Sequence, residues 1–263
     1  MNIQITNPVK ADIFASVFQN MKSFSDNVNL TIDDNKLFIQ AVDAGHVAII
    51  ELCLPLSWFD KCDQANATIG VNSTILFKIL STRDKCQSIS IQQTPESDTL
   101  LIQFTSNNKA VFDKTFEMPL LDLDAELMTI PDIDYQAEFS LPSVTFANLI
   151  HQLKMFGDSM DIECSEEKIL LFSNSQDCGK MSAEISIDEL TSFAIEEGEQ
   201  LNMSFSLAHL QCIAQFHKLS KEVELKFKRD YPLNVAYNLD AGSSLEGASA
   251  ATLKFYLAPK IQE

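Results

Sequence analysis

The sequence has 263 residues, 46% of them hydrophobic, with a formal net charge of −18 and a pI near 4.5. That hydrophobic share suits a soluble packed core, and no apolar run approaches the ~18 residues of a membrane span. The acidic balance argues against nucleic acid as a partner unless the positive charge is gathered in one place.

The N-terminus, Met1-Asn2-Ile3-Gln4-Ile5, lacks the basic flank and apolar core of a secretion signal, so an intracellular protein is expected. Asn7-Pro8 reads as an N-cap followed by proline at the first helical position, and Ile13, Phe14, Val17, Phe18 and Met21 then recur at helical spacing to about Phe24. Short alternating runs follow over 28–32, 37–42 and 47–54, separated by Asp33-Asp34-Asn35 and Asp43-Ala44-Gly45, the pattern of antiparallel hairpins. A second helix starts at Asn72 with Ile75, Leu76, Ile79 and Leu80 inward, and strands are predicted over 88–92, 99–105 and 111–116.

Met118 to Tyr135 is a connector. Pro119 and Pro131 supply no backbone donor to a ladder, yet Leu120, Leu121, Leu123, Leu127, Met128 and Ile130 are too apolar for a solvated linker, so the segment should lie against something. After it the order repeats. A strand from Tyr135 leads into a helix with Phe146, Leu149, Ile150 and Leu153 inward, then strands near 160–164, 169–173, 181–187 and 201–205. A helix after Ser206 has Leu210, Ile213 and Ala214 inward, and strands near 222–227, 233–238 and 252–257 close the chain. The expected architecture is α+β: a domain over 1–117, a connecting loop over 118–134 and a similar domain over 135–263, each with two helices on antiparallel sheets. Ala241 to Ala251 reads as a long loop of small residues.

The helices decide where the positive charge went. Segments 7–24, 72–85, 142–157 and 206–221 hold eight bases (Lys10, Lys22, Lys78, Arg83, Lys85, Lys154, Lys218, Lys221) against two acids, Asp12 and Asp84. An acidic chain whose helices are net positive has separated its charge, and helices sharing a face offer phosphates a local basic surface. Their outward positions are mostly neutral and polar, without an aromatic row or a groove-reading element, which favours loose contact with a duplex backbone over sequence readout.

Several motifs together resemble the eukaryotic-type DNA sliding clamps, the proliferating cell nuclear antigen (PCNA) family with its archaeal and viral members. They are Lys61-Cys62-Asp63, Gly70-Val71-Asn72, Lys78-Ile79-Leu80, Asp43-Ala44-Gly45-His46-Val47, Leu121-Asp122-Leu123-Asp124 with Ile130-Pro131, and the ending Leu257-Ala258-Pro259-Lys260-Ile261. The resemblance covers essentially the whole chain. It implies a processivity clamp acting in DNA replication and repair: three subunits closed head to tail around duplex DNA, in the nucleus or at a site of viral DNA replication. It implies polymerase, clamp loader and PIP-box proteins as partners, with no cofactor, no metal and no membrane.

Residue by residue, the resemblance assigns Lys10, Lys22, Lys78, Arg83, His151, Lys154, Lys218 and Lys221 to a DNA-facing channel. It assigns Lys109, Val111, Phe112, Lys114 and Phe116 to a subunit interface with Cys178, Lys180, Met181 and Ile185 of the next subunit. The partner-peptide site is expected to take Val42, His46, Val47 and Ile49 from a loop and strand, Met128, Ile130 and Pro131 from the connector, Pro232, and Tyr256, Leu257, Ala258, Pro259 and Lys260. Glu166 stands where many relatives carry a modifiable lysine, and the neutral channel face predicts weak DNA attraction.

The histidines lack metal-ligand spacing, and no phosphate loop or nucleophile motif is present, so an enzyme is not expected. Six cysteines (Cys53, Cys62, Cys86, Cys164, Cys178, Cys212) without a C-x-x-C pair predict reduced, buried thiols. The competing reading is a clamp-like peptide-binding scaffold, or one subunit of a heterotrimer.

Overall fold

A computed structural model describes residues 1–33, 35–63, 67–94, 96–124, 127–240 and 250–260. The chain divides into two compact units. One is built on Met1–Ala44 and Glu51–Met128, the other on Gly45–Ile50, Thr129–Ala241 and Leu253–Glu263.

In the first unit the chain runs β1 (Asn2–Ile5), α1 (Pro8–Met21), β2 (Asn27–Ile32), β3 (Lys36–Val42), β4 (Ala48–Pro55), β5 (Lys61–Asp63), β6 (Ala67–Asn72), α2 (Ser73–Leu80), β7 (Ser88–Gln92), β8 (Thr99–Thr105) and β9 (Lys114–Pro119). Only the part of β4 from Glu51 onward belongs to this unit. One sheet has the order β5-β1-β7-β8-β9; β3, β2 and β6 are neighbours in another. Asn7 caps α1 as predicted, its side-chain oxygen accepting from the N–H groups of Val9 at 2.9 Å and Lys10 at 3.3 Å, with Pro8 in the first turn. Asn72 does the same for α2 through the Ile75 N–H at 2.9 Å. Each such cap is worth about 1 kcal/mol.

The second unit contains β10 (Ala137–Pro142), α3 (Ser143–Lys154), β11 (Ser159–Cys164), β12 (Ile169–Ser175), β13 (Gly179–Ile185), β14 (Ser192–Ile195), β15 (Leu201–Ser206), α4 (Leu207–Ala214), β16 (Glu222–Phe227), β17 (Leu233–Asn238) and β18 (Thr252–Leu257). One sheet is ordered β13-β12-β11-β15, and another runs β14-β10-β16-β17-β18. Its core is aromatic: Phe139 stacks on Phe227 with centroids 5.4 Å apart, and Phe216 meets Phe255 at 5.0 Å. The buried Tyr237 hydroxyl donates to the Ile213 carbonyl at 3.2 Å, tying β17 to α4.

Several boundaries depart from expectation. The strand predicted over 111–116 is β9, three residues later, and it takes in Pro119, which the sequence reading gave to the connector. Pro119 is tolerated as the last residue of an edge strand. Ile75, expected inward on α2, is 42% exposed, and Ser73 takes a buried place at the helix start. Helix α4 stops at Ala214 and tightens into a 3₁₀ turn over Gln215–Lys218. Of the six free cysteines only Cys164 is buried, and Cys86 and Cys178 are exposed. Residues 241–249 of the long loop lie outside the described residues. Among the described residues no helix is long and apolar enough to cross a membrane.

Candidate functional site

The connector's path follows from what it touches in the first unit. Leu120 N–H donates to the Asp98 carbonyl at 2.9 Å, and Leu121 N–H donates to the Gly70 carbonyl on β6 at 2.9 Å. Asn29 on β2, the register partner of Gly70, donates its amide to the Leu123 carbonyl at 3.3 Å. Gln40 on β3 then grips Met128 at both ends: the Met128 N–H reaches Gln40 Oε1 at 2.7 Å and Gln40 Nε2 reaches the Met128 carbonyl at 2.8 Å. The attachment points therefore step across β6, β2 and β3 in sheet order. Gly70 is required for this approach, because a Cβ there would stand 2.3 Å from the Leu121 carbonyl oxygen and 2.8 Å from the Leu123 side chain. Held in this way, Leu127 and Met128 remain 53% and 52% exposed.

Of the expected partner-peptide residues, Val42 and Met128 fall in the first unit and the others in the second. Within the second unit, the Ala258 N–H donates to the Val47 carbonyl at 3.0 Å, which joins the His46–Ile49 stretch to the C-terminal segment. His46 is exposed at φ 53°, in the left-handed region, where the turn reverses. Val47, Ile49, Ile130, Tyr256, Ala258 and Pro259 are half-buried, and Pro131, Pro232 and Lys260 are exposed. The Leu257 side chain is fully buried in the core. Alternation along β18 explains this, since Leu253, Phe255 and Leu257 share the inward face. The Lys260 N–H donates to the Ser204 carbonyl at 2.8 Å, laying the chain end beside β15.

In the helix set the bases differ in how free they are. Lys78, in the last turn of α2, is exposed, as are His151, Lys218 and Lys221. Lys22 sits 4.5 Å from the Phe77 ring centroid, and Lys10 donates to the Trp58 carbonyl at 2.7 Å. Lys154 pairs with Asp158 one turn on, and that lysine holds the Asp158 carboxyl below its usual range. Arg83 is corrected. Its side chain is 4% exposed, its guanidinium pairs with Asp12, and its Nη1 donates to the carbonyls of Asp84, Lys85 and Gln87 at 3.2, 3.3 and 2.8 Å. With Nη1 and part of Nη2 committed to chain atoms, this nearly buried guanidinium fastens the end of α2 to α1. Arg83→Ala is therefore expected to cost about 2 kcal/mol by removing the Asp12 pair and the hydrogen bonds that hold the turn after α2, read as a lower Tm in thermal unfolding, whereas Lys78→Ala should stay within ~0.5 kcal/mol.

The expected interface residues lie at two sheet edges. β9 is the last strand of its sheet in the first unit, and β13 is the last of its sheet in the second. Phe112, just before β9, is 85% exposed although its carbonyl is fixed by Gln87 Nε2 at 2.8 Å. Phe116 packs inward on Phe104 at 5.6 Å, and Lys114 pairs with Asp84 at 2.7 Å. Lys109 is exposed and Val111 half-buried. On β13, Met181 and Ile185 are half-buried on one face. Cys178 and Lys180 are exposed near its start, with the Lys180 ammonium 4.1 Å from the Phe172 ring centroid. Glu166, at the position compared with a modifiable lysine, accepts from the Gly198 N–H at 2.7 Å.

Two units in one chain, each pairing two helices against antiparallel sheet, define the α+β DNA-clamp fold. Residues 6–127 match the N-terminal domain of proliferating cell nuclear antigen, and residues 129–260 match its C-terminal domain. The chain belongs to the proliferating cell nuclear antigen family, the DNA sliding clamps of replication and repair.

Sequence reasoning missed the residues that hold the connector. Gly70 was noticed only as part of a motif, and nothing in the spacing of Asn29 and Gln40 marks them, because each acts across more than eighty residues of chain.

Proposed function

We infer that the protein is a homotrimeric, non-enzymatic processivity clamp that recruits partners through a short peptide motif bearing an apolar residue and two aromatics. Membership of the clamp family over residues 6–260 carries this reading. The outer edges of β9 and β13 support assembly, because a heterologous edge-to-edge contact repeated around a closed ring covers both of these strand edges in every subunit. The exposed Leu127 and Met128 beside a fastened connector support peptide docking, as do His46 and Pro232 with the half-buried Tyr256. The net-positive helices support loose contact with duplex DNA, and the replication site, nuclear or viral, is where such a ring works.

The test is calorimetry with a synthetic PIP-box peptide. Met128→Ala and Ile130→Ala are each expected to weaken binding about tenfold, ~1.4 kcal/mol, with the assembly mass unchanged by light scattering. Wild-type affinity in both variants refutes the site, and a stable monomer refutes the ring.

A further inference from the structure

We propose that Gln40 is a positioning residue for partner-peptide binding, acting through the connector and touching no peptide itself; this rests on the peptide-site reading above. The geometry that carries it is a reciprocal pair. A carboxamide presents one acceptor and one donor side by side, as a backbone amide does in a β-ladder, and Gln40 uses both on one residue. Met128 N–H donates to Oε1 at 2.7 Å, and Nε2 donates to the Met128 carbonyl at 2.8 Å. The second Nε2 hydrogen is committed to Glu51 Oε1 at 2.9 Å, which orients the amide plane. Gln40 thus acts as a single rung of sheet projected from β3.

The consequence is entropic. Met128 lies in a stretch that belongs to neither helix nor strand and is exposed, the kind of segment that samples many conformations when unattached. Fixing both its backbone groups orders the residue before any partner arrives, so a partner binds a prepared surface. Preorganisation of this kind raises affinity without adding a contact. The Asn29 bond to the Leu123 carbonyl holds the upstream part of the connector, so Gln40 controls the Met128 end specifically.

Two substitutions and two readouts test this on the full chain. In Gln40→Ala the Met128 amide is expected to exchange its hydrogen at least about tenfold faster, and PIP-box peptide affinity to fall about tenfold, while assembly mass stays the same. Gln40→Glu gives a readout that loss of stability alone does not. Near neutral pH the introduced carboxylate faces both the Glu51 carboxylate and the Met128 carbonyl, so the pair breaks. As pH falls, this carboxyl, held protonated to higher pH by its acidic neighbour, regains one donor and one acceptor. Peptide affinity of Gln40→Glu should then rise toward the wild-type value on acidification, while the wild-type profile stays flatter. Unchanged Met128 exchange in Gln40→Ala overturns the hydrogen-bonded grip. Faster exchange with unchanged peptide affinity overturns the positioning role. If the wild-type chain binds no such peptide, the site reading fails and the positioning role with it, and Met128 exchange still decides whether the grip exists.

Discussion

Reversing both Lys78 and Lys154 to glutamate is expected to weaken duplex DNA binding at least tenfold near physiological salt, with a matching loss of polymerase processivity. The magnitude comes from counterion release. Each phosphate contact contributes about 0.9 to the slope of log affinity against log salt, so near 0.15 M salt the counterion release of one contact is worth about 0.7 of a decade. Two lost contacts make more than one decade, and the introduced carboxylates add repulsion. The two lysines are not equal. Lys78 is exposed in the last turn of α2 with no carboxylate paired to it among the described residues, whereas Lys154 is already shared with Asp158. Lys78→Glu alone should therefore carry more than half of the effect. Affinity measured across a salt series decides it: the double variant's slope should be shallower by about two. An unchanged slope with unchanged processivity removes these residues from the DNA-facing set. Peptide affinity, which depends on other surfaces, should not move.

The second large effect is expected at Phe112. An aromatic side chain 85% exposed, on a backbone fixed through Gln87, is an apolar surface held ready in the isolated chain. Burying it against a neighbouring subunit gains roughly 1.5–3 kcal/mol, and placing a carboxylate there adds a desolvation cost of several kcal/mol. If Phe112 seals the ring proposed above, Phe112→Asp raises the dissociation constant of that assembly at least about a hundredfold, converting the proposed trimer to monomer in size-exclusion light scattering at micromolar protein. Because the ring lies almost wholly in solvent, the monomer should keep its secondary structure by circular dichroism. A trimer that persists on dilution places the contact elsewhere. One that dissociates only together with a collapse of secondary structure shows that Phe112 serves the fold.

The fold was legible where local chemistry is strong. Asn7-Pro8 and Asn72 signal their helices because a carboxamide capping the first turn leaves a residue-level signature, and most strands show their alternation directly. Short strands were invisible. Lys61–Asp63 and Ser192–Ile195 are too brief for a period to establish, and they form because a neighbour in the sheet presents an edge. Arg83 shows the limit of counting charge. Composition assigns it to a basic face, but burial and four acceptors assign it to the junction of α1 and α2, and only three-dimensional proximity to Asp12 distinguishes the two. Leu257 shows the same limit for an apolar residue, since motif likeness identifies the segment and not which of its side chains point inward. The connector was recognised as sticky from its leucines and prolines, yet what holds it, Gly70, Asn29 and Gln40, lies far away in sequence.

The connector's route bears on how such a chain can change over generations. A strand paired along a ladder cannot gain or lose one residue without turning its whole inward face outward. The connector is fastened at separate points on successive strands, through Gly70, Asn29 and Gln40, and among the described residues its only ladder pairing with them is the single Leu121–Gly70 bridge. Single-residue insertions or deletions between those points leave the sheet beneath undisturbed and alter only what is displayed outward. Such a segment can drift in length and composition, adapting to a changing set of client proteins, while the domain that carries it stays constant.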